Sequence, residues 1–421
     1  MQTIETKDLG TGDGTKLTAP KQYFEWMETL RGLGVLLVLF GHLKPHPFLL
    51  SYLQSIMLAL FIFAAGFLFN AKNVSTSGVY LKKRFRILIV PYFWFTVLTF
   101  VFWVVLFGGI SSLVGSGDGA AMPDAIGSVD MPKAALAPGH QAKPGPLALF
   151  LLFLLPALYG NSKFMWYNLP LWFLPGIFMV DWIFTSVFRK CKTERKLLTW
   201  LIVLSLLGYL IGRTHLPFPW NVDTAMMIAV YYGLGYIFRQ RYGEGWHWPW
   251  PIKLLIALAL LGVSFFFIWL NPDAHPSFNW LGNLFYYHAG ALSGVLAFML
   301  FSQLLAKLHV PPESARTAPG RVVYKILGAI PALCNYFGRH SLIVIGVQVP
   351  AMSLFMTFNH LVFGMMVKEK IYSTGWAFYF MVGASLLMVP MIYAINRWAP
   401  WMLGREKKKK AAPPAVDSPP R

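Results

Sequence analysis

Ten apolar runs, each sixteen to twenty-four residues long, recur along this chain of 421 residues. A helix rises about 1.5 Å per residue, so runs of this length match the hydrocarbon core of a bilayer. They lie at 26–43, 51–70, 87–110, 169–188, 197–212, 224–239, 253–270, 284–305, 341–360 and 375–396. With 56% hydrophobic and 13% charged residues and a mean hydropathy of +0.54, the composition excludes a soluble globular domain of this size. The expected fold is all-α, a polytopic membrane protein of about ten transmembrane helices.

Charge sets the orientation. The net charge of +19 would point to nucleic acid in a soluble protein, but here it follows the membrane. With the N-terminus inside, 29 of the 36 lysines and arginines fall in cytoplasmic segments. The other seven are Lys44, Lys133, Lys143, Lys163, Arg213, Lys368 and Lys370. Both termini are therefore expected in the cytoplasm, with no nucleic-acid partner. Residues 1–22 form a polar segment without a cleavable signal, and 23–400 form the membrane domain. Residues 111–168 are expected as an outer loop. Its 111–146 part is rich in Gly, Ala and Pro, and 146–160 is a short re-entrant or interfacial helix. Counting 146–160 as a span would invert every later loop against the charge pattern. Residues 401–421 read as a basic, Pro/Ala-rich disordered tail touching anionic lipid. The two cysteines, Cys191 and Cys334, offer neither a disulfide framework nor a zinc motif.

Within the first run stand Glu28-Thr29-Leu30-Arg31-Gly32 and Phe40-Gly41-His42. Arg31 and His42 are eleven residues apart, about three turns, so they share a face and are separated by roughly 16 Å along the axis. Glu28 can hold Arg31 as an i,i+3 partner. An ionisable group in lipid marks a functional site by default, although an interfacial anchor and a helix cap would use the same residue types. Lys82, Lys83, Arg84 and Arg86 precede the third run, and Asp181 lies inside the fourth. His46, His215, Asp223, His275 and His288 fall around outer helix ends, and Trp246-His247-Trp248-Pro249-Trp250 reads as an interfacial belt.

These motifs together resemble the acyltransferase-3 family of integral membrane acyltransferases. Glu28-x-x-Arg31-Gly32 with His42 is similar to the family's Asp-x-x-Arg-Gly and histidine. Leu60-Phe61-Ile62-Phe63-Ala64-Ala65-Gly66-Phe67-Leu68 resembles its second-helix pattern, with Ala65 in place of a usual serine. Lys83-x-x-Arg86 stands where Arg-x-x-Arg is common, and Pro91-Tyr92 closes that landmark. Leu171-Trp172-Phe173-Leu174 and Gly338-Arg339-His340-Ser341-Leu342 follow in order. Ile345 and Gln348 replace a late tyrosine and histidine, so His42 carries the catalytic expectation.

The resemblance implies transfer of an acyl group, acetyl first, from cytoplasmic acyl-CoA to a hydroxyl of a cell-surface or periplasmic glycan. His42, Arg31 and Glu28 are the expected catalytic set, with His42 as general base or acyl carrier. Arg31, Lys83, Arg84 and Arg86 would hold the CoA phosphates, and Trp172, Asp181 and His288 are weaker substrate contacts. No metal is expected. The implied partners are acyl-CoA, a glycan acceptor, membrane lipid and a separate extracytoplasmic transferase, in a bacterial inner membrane. Succinyl transfer to a periplasmic glucan and acylation of a small metabolite belong to the same family. A flippase for a lipid-linked sugar is the alternative of another class, against which stands the absence of paired broken helices.

Overall fold

A computed structural model describes residues 24–71, 77–107, 146–243, 245–308, 318–364 and 373–405. Among them are twelve α-helices: α1 Glu25–His42, α2 Pro47–Phe67, α3 Ser77–Val101, α4 Pro146–Tyr159, α5 Phe173–Lys190, α6 Glu194–Gly212, α7 Val222–Tyr242, α8 Trp250–Trp269, α9 Leu284–Ala306, α10 Ala318–Arg339, α11 Ser341–Phe363 and α12 Thr374–Trp398. No strand is present among the described residues. Eight of the helices are long and apolar enough to cross a membrane. Helices α1 and α7 fall on two further expected runs but are not among these eight: α1 carries Glu25, Glu28 and Arg31, and α7 carries four tyrosines and charged ends. The expected segment 1–22, most of the loop at 111–146 and the tail beyond Arg405 lie outside the described residues.

Local chemistry explains the helix ends. Pro47 occupies the first turn of α2, where its missing N–H costs nothing. Thr193 and Asn283 cap α6 and α9 by accepting from the backbone N–H of Lys196 and Tyr286. Gly364 ends α11 at φ +63°, a left-handed turn that suits glycine.

Two elements differ from the sequence expectation. Helix α3 begins at Ser77, ten residues before the apolar run at 87, because the basic stretch is itself helical. This puts Lys83 and Arg84 on one rigid face with Tyr80 and Ile87. Helix α10 occupies a stretch read as plain cytoplasmic segment. It exposes Val322, Val323, Ile326, Leu327, Ile330 and Leu333 and buries Cys334, Asn335 and Phe337. Its C-terminal half is seated on α1, through Cys334 at Gly32 and Gly338 at Glu28, and its apolar stripe faces outward, so it is an amphipathic helix.

Helix α1 sits inside the bundle, packed by α2, α9, α10, α11 and α12. Small residues allow the closest approaches, as is usual where lipid gives helices no hydrophobic reason to associate. A Cβ on Gly32 would overlap the carbonyl of Cys334, and one on Gly338 would overlap the carbonyl of Glu28, so α1 and α10 touch backbone to backbone. Gly66 against Tyr232 and Gly235 against Phe63 join α2 to α7 in the same way.

Candidate active site

A cavity of about 1550 Å³ opens between α1, α2, α3, α5, α7 and α11. Its lining changes character with depth. Toward the basic end stand Arg31, Lys83, Arg84, Arg239 and Arg405, with Glu28 the only carboxylate that the described residues put in the lining. Farther in, the wall is Phe61, Ala64, Ala65, Phe173, Leu174, Ile177 and Ile345, with no charged residue. Phe173 is eight residues from Asp181 on α5, so about 12 Å of helix separates this apolar end from the level of Arg84, which pairs with Asp181.

Arg31 is held on two sides. Its Nη1 lies 3.3 Å from both carboxylate oxygens of Glu28, and its Nη2 donates to the Ser341 hydroxyl at 2.9 Å. The Gly-x-x-Ser-Leu landmark thereby acquires a physical reason. Gly338 lets α10 reach the Glu28 turn of α1, and Ser341 fixes the guanidinium next to it. Arg84 is held more tightly. Its Nε and Nη2 both donate to Oδ2 of Asp181, at 2.6 and 2.5 Å. The other oxygen of Asp181 accepts from the hydroxyls of Tyr232 at 2.7 Å and Tyr80 at 3.2 Å. Asp181 has no solvent exposure, and its two oxygens are shared between Arg84 and the two tyrosines. It does not line the cavity.

Arg239, Arg405, Tyr236 and Gln240 line the same space and were not singled out from the sequence. Arg239 donates to the carbonyl of Phe67 at 3.1 Å and lies over the rings of Phe24 and Phe67. The sequence signal for it was weak, a basic residue at the end of an apolar run. His340, between α10 and α11, stacks on Tyr336 with ring centroids 4.9 Å apart. Burial, then Arg405 and Arg339, push its pKa below the usual histidine value.

The remaining sequence candidates are elsewhere. Arg86 is exposed and outside the lining, because the face of α3 that meets the cavity runs Val79, Tyr80, Lys83, Arg84, Ile87 and Leu88. Trp172 is buried beside Gly176 and Phe173, one residue behind the wall. His288 bonds the Tyr231 hydroxyl at 2.8 Å and the Ser205 hydroxyl at 3.2 Å, tying α6, α7 and α9 together. Asp223 accepts from Asn279 at 2.9 Å, and the backbone carbonyl of His215 accepts from Lys163 at 2.8 Å. His42 is half-buried at the far end of α1, with no hydrogen-bond partner among the described residues. It lies beyond the cavity, eight residues after Gly34, whose closest neighbours are Leu60 and Phe61. Phe61 and Phe173 meet with ring centroids 5.6 Å apart, so the aromatic landmark of α2 and the Trp-Phe-Leu landmark line the apolar end together.

The chain's own pattern matches the family model of an acyltransferase domain, Acyl_transf_3, over residues 24–395. The chain belongs to the acyltransferase-3 family. No curated protein and no solved structure gives a significant match. Membership in the acyltransferase-3 family makes this a multi-pass membrane acyltransferase, and the match spans every helix that builds the cavity.

Proposed function

We propose that this protein is an O-acyltransferase that moves an acyl group, acetyl first, from cytoplasmic acyl-CoA to a hydroxyl of a cell-surface or periplasmic glycan, across a bacterial inner membrane. The observation that carries this reading is the graded cavity, cationic at its mouth and apolar at its depth. Coenzyme A is graded in the same sense, with phosphates at one end and a thioester at the other. Arg31, Lys83, Arg84 and Arg239 suit the phosphates by charge-assisted hydrogen bonds, and the two fixed guanidinium groups need little reordering to make them. An uncharged acyl group suits the depth. A succinyl carboxylate would lose its water among Phe61, Phe173 and Ile345 with no cation to meet it, which favours acetyl transfer.

His42 is the proposed base. The hydroxyl oxygen attacks the thioester carbon, His42 takes the hydroxyl proton, and the C–S bond breaks to release the thiol, which receives a proton. Glu28 and Arg31 act at the other end of the same helix, and α1 spans the distance between phosphates and chemistry. Lys83 joins the phosphate set, while Arg86 serves the approach of the charged head from outside the cavity.

The test is acyl transfer in membranes holding equal amounts of wild type and His42→Ala, with labelled acetyl-CoA, following free CoA and label on extracted glycan. Wild type is expected to transfer label and His42→Ala to fall by about 10²-fold or more. Equal transfer by both would remove His42 from the chemistry. No turnover of acetyl-CoA or succinyl-CoA by wild type would remove the acyl-CoA reading itself.

A further inference from the structure

Gln348 stands inside α11 with no solvent exposure, and neither its amide nitrogen nor its amide oxygen has a hydrogen-bond partner among the described residues. The other buried polar side chains of that helix all have partners: Ser341 accepts from Arg31, Ser353 donates to the carbonyl of Val349, and Asn359 donates to that of Phe355 and accepts from Tyr379. An unpaired amide within a membrane span is costly, and such groups are kept for a partner.

Its place in the bundle says which partner. Gln348 is seven residues after Ser341, two turns on and within about 20° of the same face. That face meets α1, because the Ser341 hydroxyl bonds Arg31. Ile345, one turn before Gln348, lines the apolar end of the cavity. Helices α1 and α11 run in the same direction from this contact, so Gln348 stands about 10 Å beyond the level of Arg31, and His42 about 16 Å beyond it. The orphaned amide lies between the end of the cavity and the level of His42.

We propose that Gln348 is a catalytic residue whose amide N–H donates to the carbonyl oxygen of the bound thioester, a proposal that rests on the acyl-CoA reading above. When the acceptor oxygen bonds to the carbonyl carbon, the carbonyl electron pair moves onto that oxygen. When the pair returns, the C–S bond breaks and the thiol leaves with a proton, while the proton of the acceptor hydroxyl passes to His42. A donor held dry and unpaired in advance stabilises the oxygen while it carries charge, without reorganising.

The experiment compares purified full-length wild type, Gln348→Met and Gln348→His in lipid nanodiscs, measuring CoA release from acetyl-CoA with glycan acceptor, and thermal unfolding. Gln348→Met removes two unpaired polar groups at similar volume, so its Tm is expected at or above wild type. Its kcat is expected to fall about 10²-fold, with KM for acetyl-CoA within about twofold because the cationic mouth is untouched. Gln348→His restores an N–H donor and is expected to recover at least tenfold over Gln348→Met. Wild-type kcat in Gln348→Met, a loss that tracks a lowered Tm, or a Gln348→His no better than Gln348→Met would each overturn the proposal while acyl-CoA turnover by wild type stands. Absence of CoA release from wild type with any acyl-CoA would instead overturn the acyl-CoA reading, and this proposal with it.

Discussion

Asp181 and Arg84 are 97 residues apart in the chain and form the most fully bonded ion pair at the cavity. The sequence marks Asp181 as a carboxylate inside an apolar run, which is enough to demand a partner but not to name one. Only the fold supplies Arg84, Tyr80 and Tyr232 as its partners. Breaking one side of a buried pair leaves the other charge stranded, so Asp181→Asn is expected to lose about 3 kcal/mol of stability. Its KM for acyl-CoA should rise several-fold more than its kcat falls. The double variant Arg84→Met/Asp181→Leu should regain most of the stability in a thermal melt and none of the acyl-CoA affinity. Equal recovery of both would make the pair purely structural. Arg86 carries the complementary lesson. The sequence reading names Lys83, Arg84 and Arg86 together, whereas the helical face of α3 brings only Lys83 and Arg84 to the cavity, because 80, 83, 84 and 87 share a stripe and 86 falls off it.

Helix α10 is the element that hydropathy alone overlooks. Its apolar residues at 322, 323, 326, 330 and 333 recur at helical spacing, so an amphipathic reading of the stretch was legible. A search for bilayer-length apolar runs passes over it because half of its faces are polar or small. What could not be read is its seat on α1 through Gly32 and Gly338, a backbone contact between residues about 300 positions apart. Gly32→Ala is expected to destabilise by about 1–3 kcal/mol, because the Cβ has only backbone to displace. It should also raise KM for acyl-CoA by moving Arg31. Gly262→Ala in α8 meets nothing within 4 Å and should be neutral or slightly stabilising in the same assay. Similar losses from both substitutions would refute the contact's importance.

At the scale of the whole molecule, six helices contribute to one graded cavity, and the graded lining makes two further outcomes measurable. Phe61 and Phe173 line the apolar end, so on the proposed acyl-CoA reading Phe61→Ala should shift the preferred donor from acetyl-CoA toward butyryl-CoA or longer by about tenfold in kcat/KM, as one to two extra methylenes find room. An unchanged chain-length profile would place the acyl group elsewhere. Orientation is tested by an impermeant maleimide on spheroplasts. Cys191 is half-buried at the basic end and should react only after the membrane is opened, whereas exposed His46→Cys should react in intact spheroplasts. The reverse pattern would invert the bundle.

The sequence by itself determined the all-α membrane fold and the apolar helices of the bundle, because each apolar run must satisfy its own backbone in lipid. It also set the sidedness that the charges are expected to take, and it carried the landmarks that name the family. It placed Arg31 and His42 on one face of α1, since that follows from helical period alone. The tertiary structure decided which basic residues share a cavity, that Asp181 serves Arg84, that Phe61 and Phe173 meet, and that Gln348 is left unpaired. Each of these depends on side chains from helices far apart in sequence, where close approach is set by small residues and packing, and no local period records it.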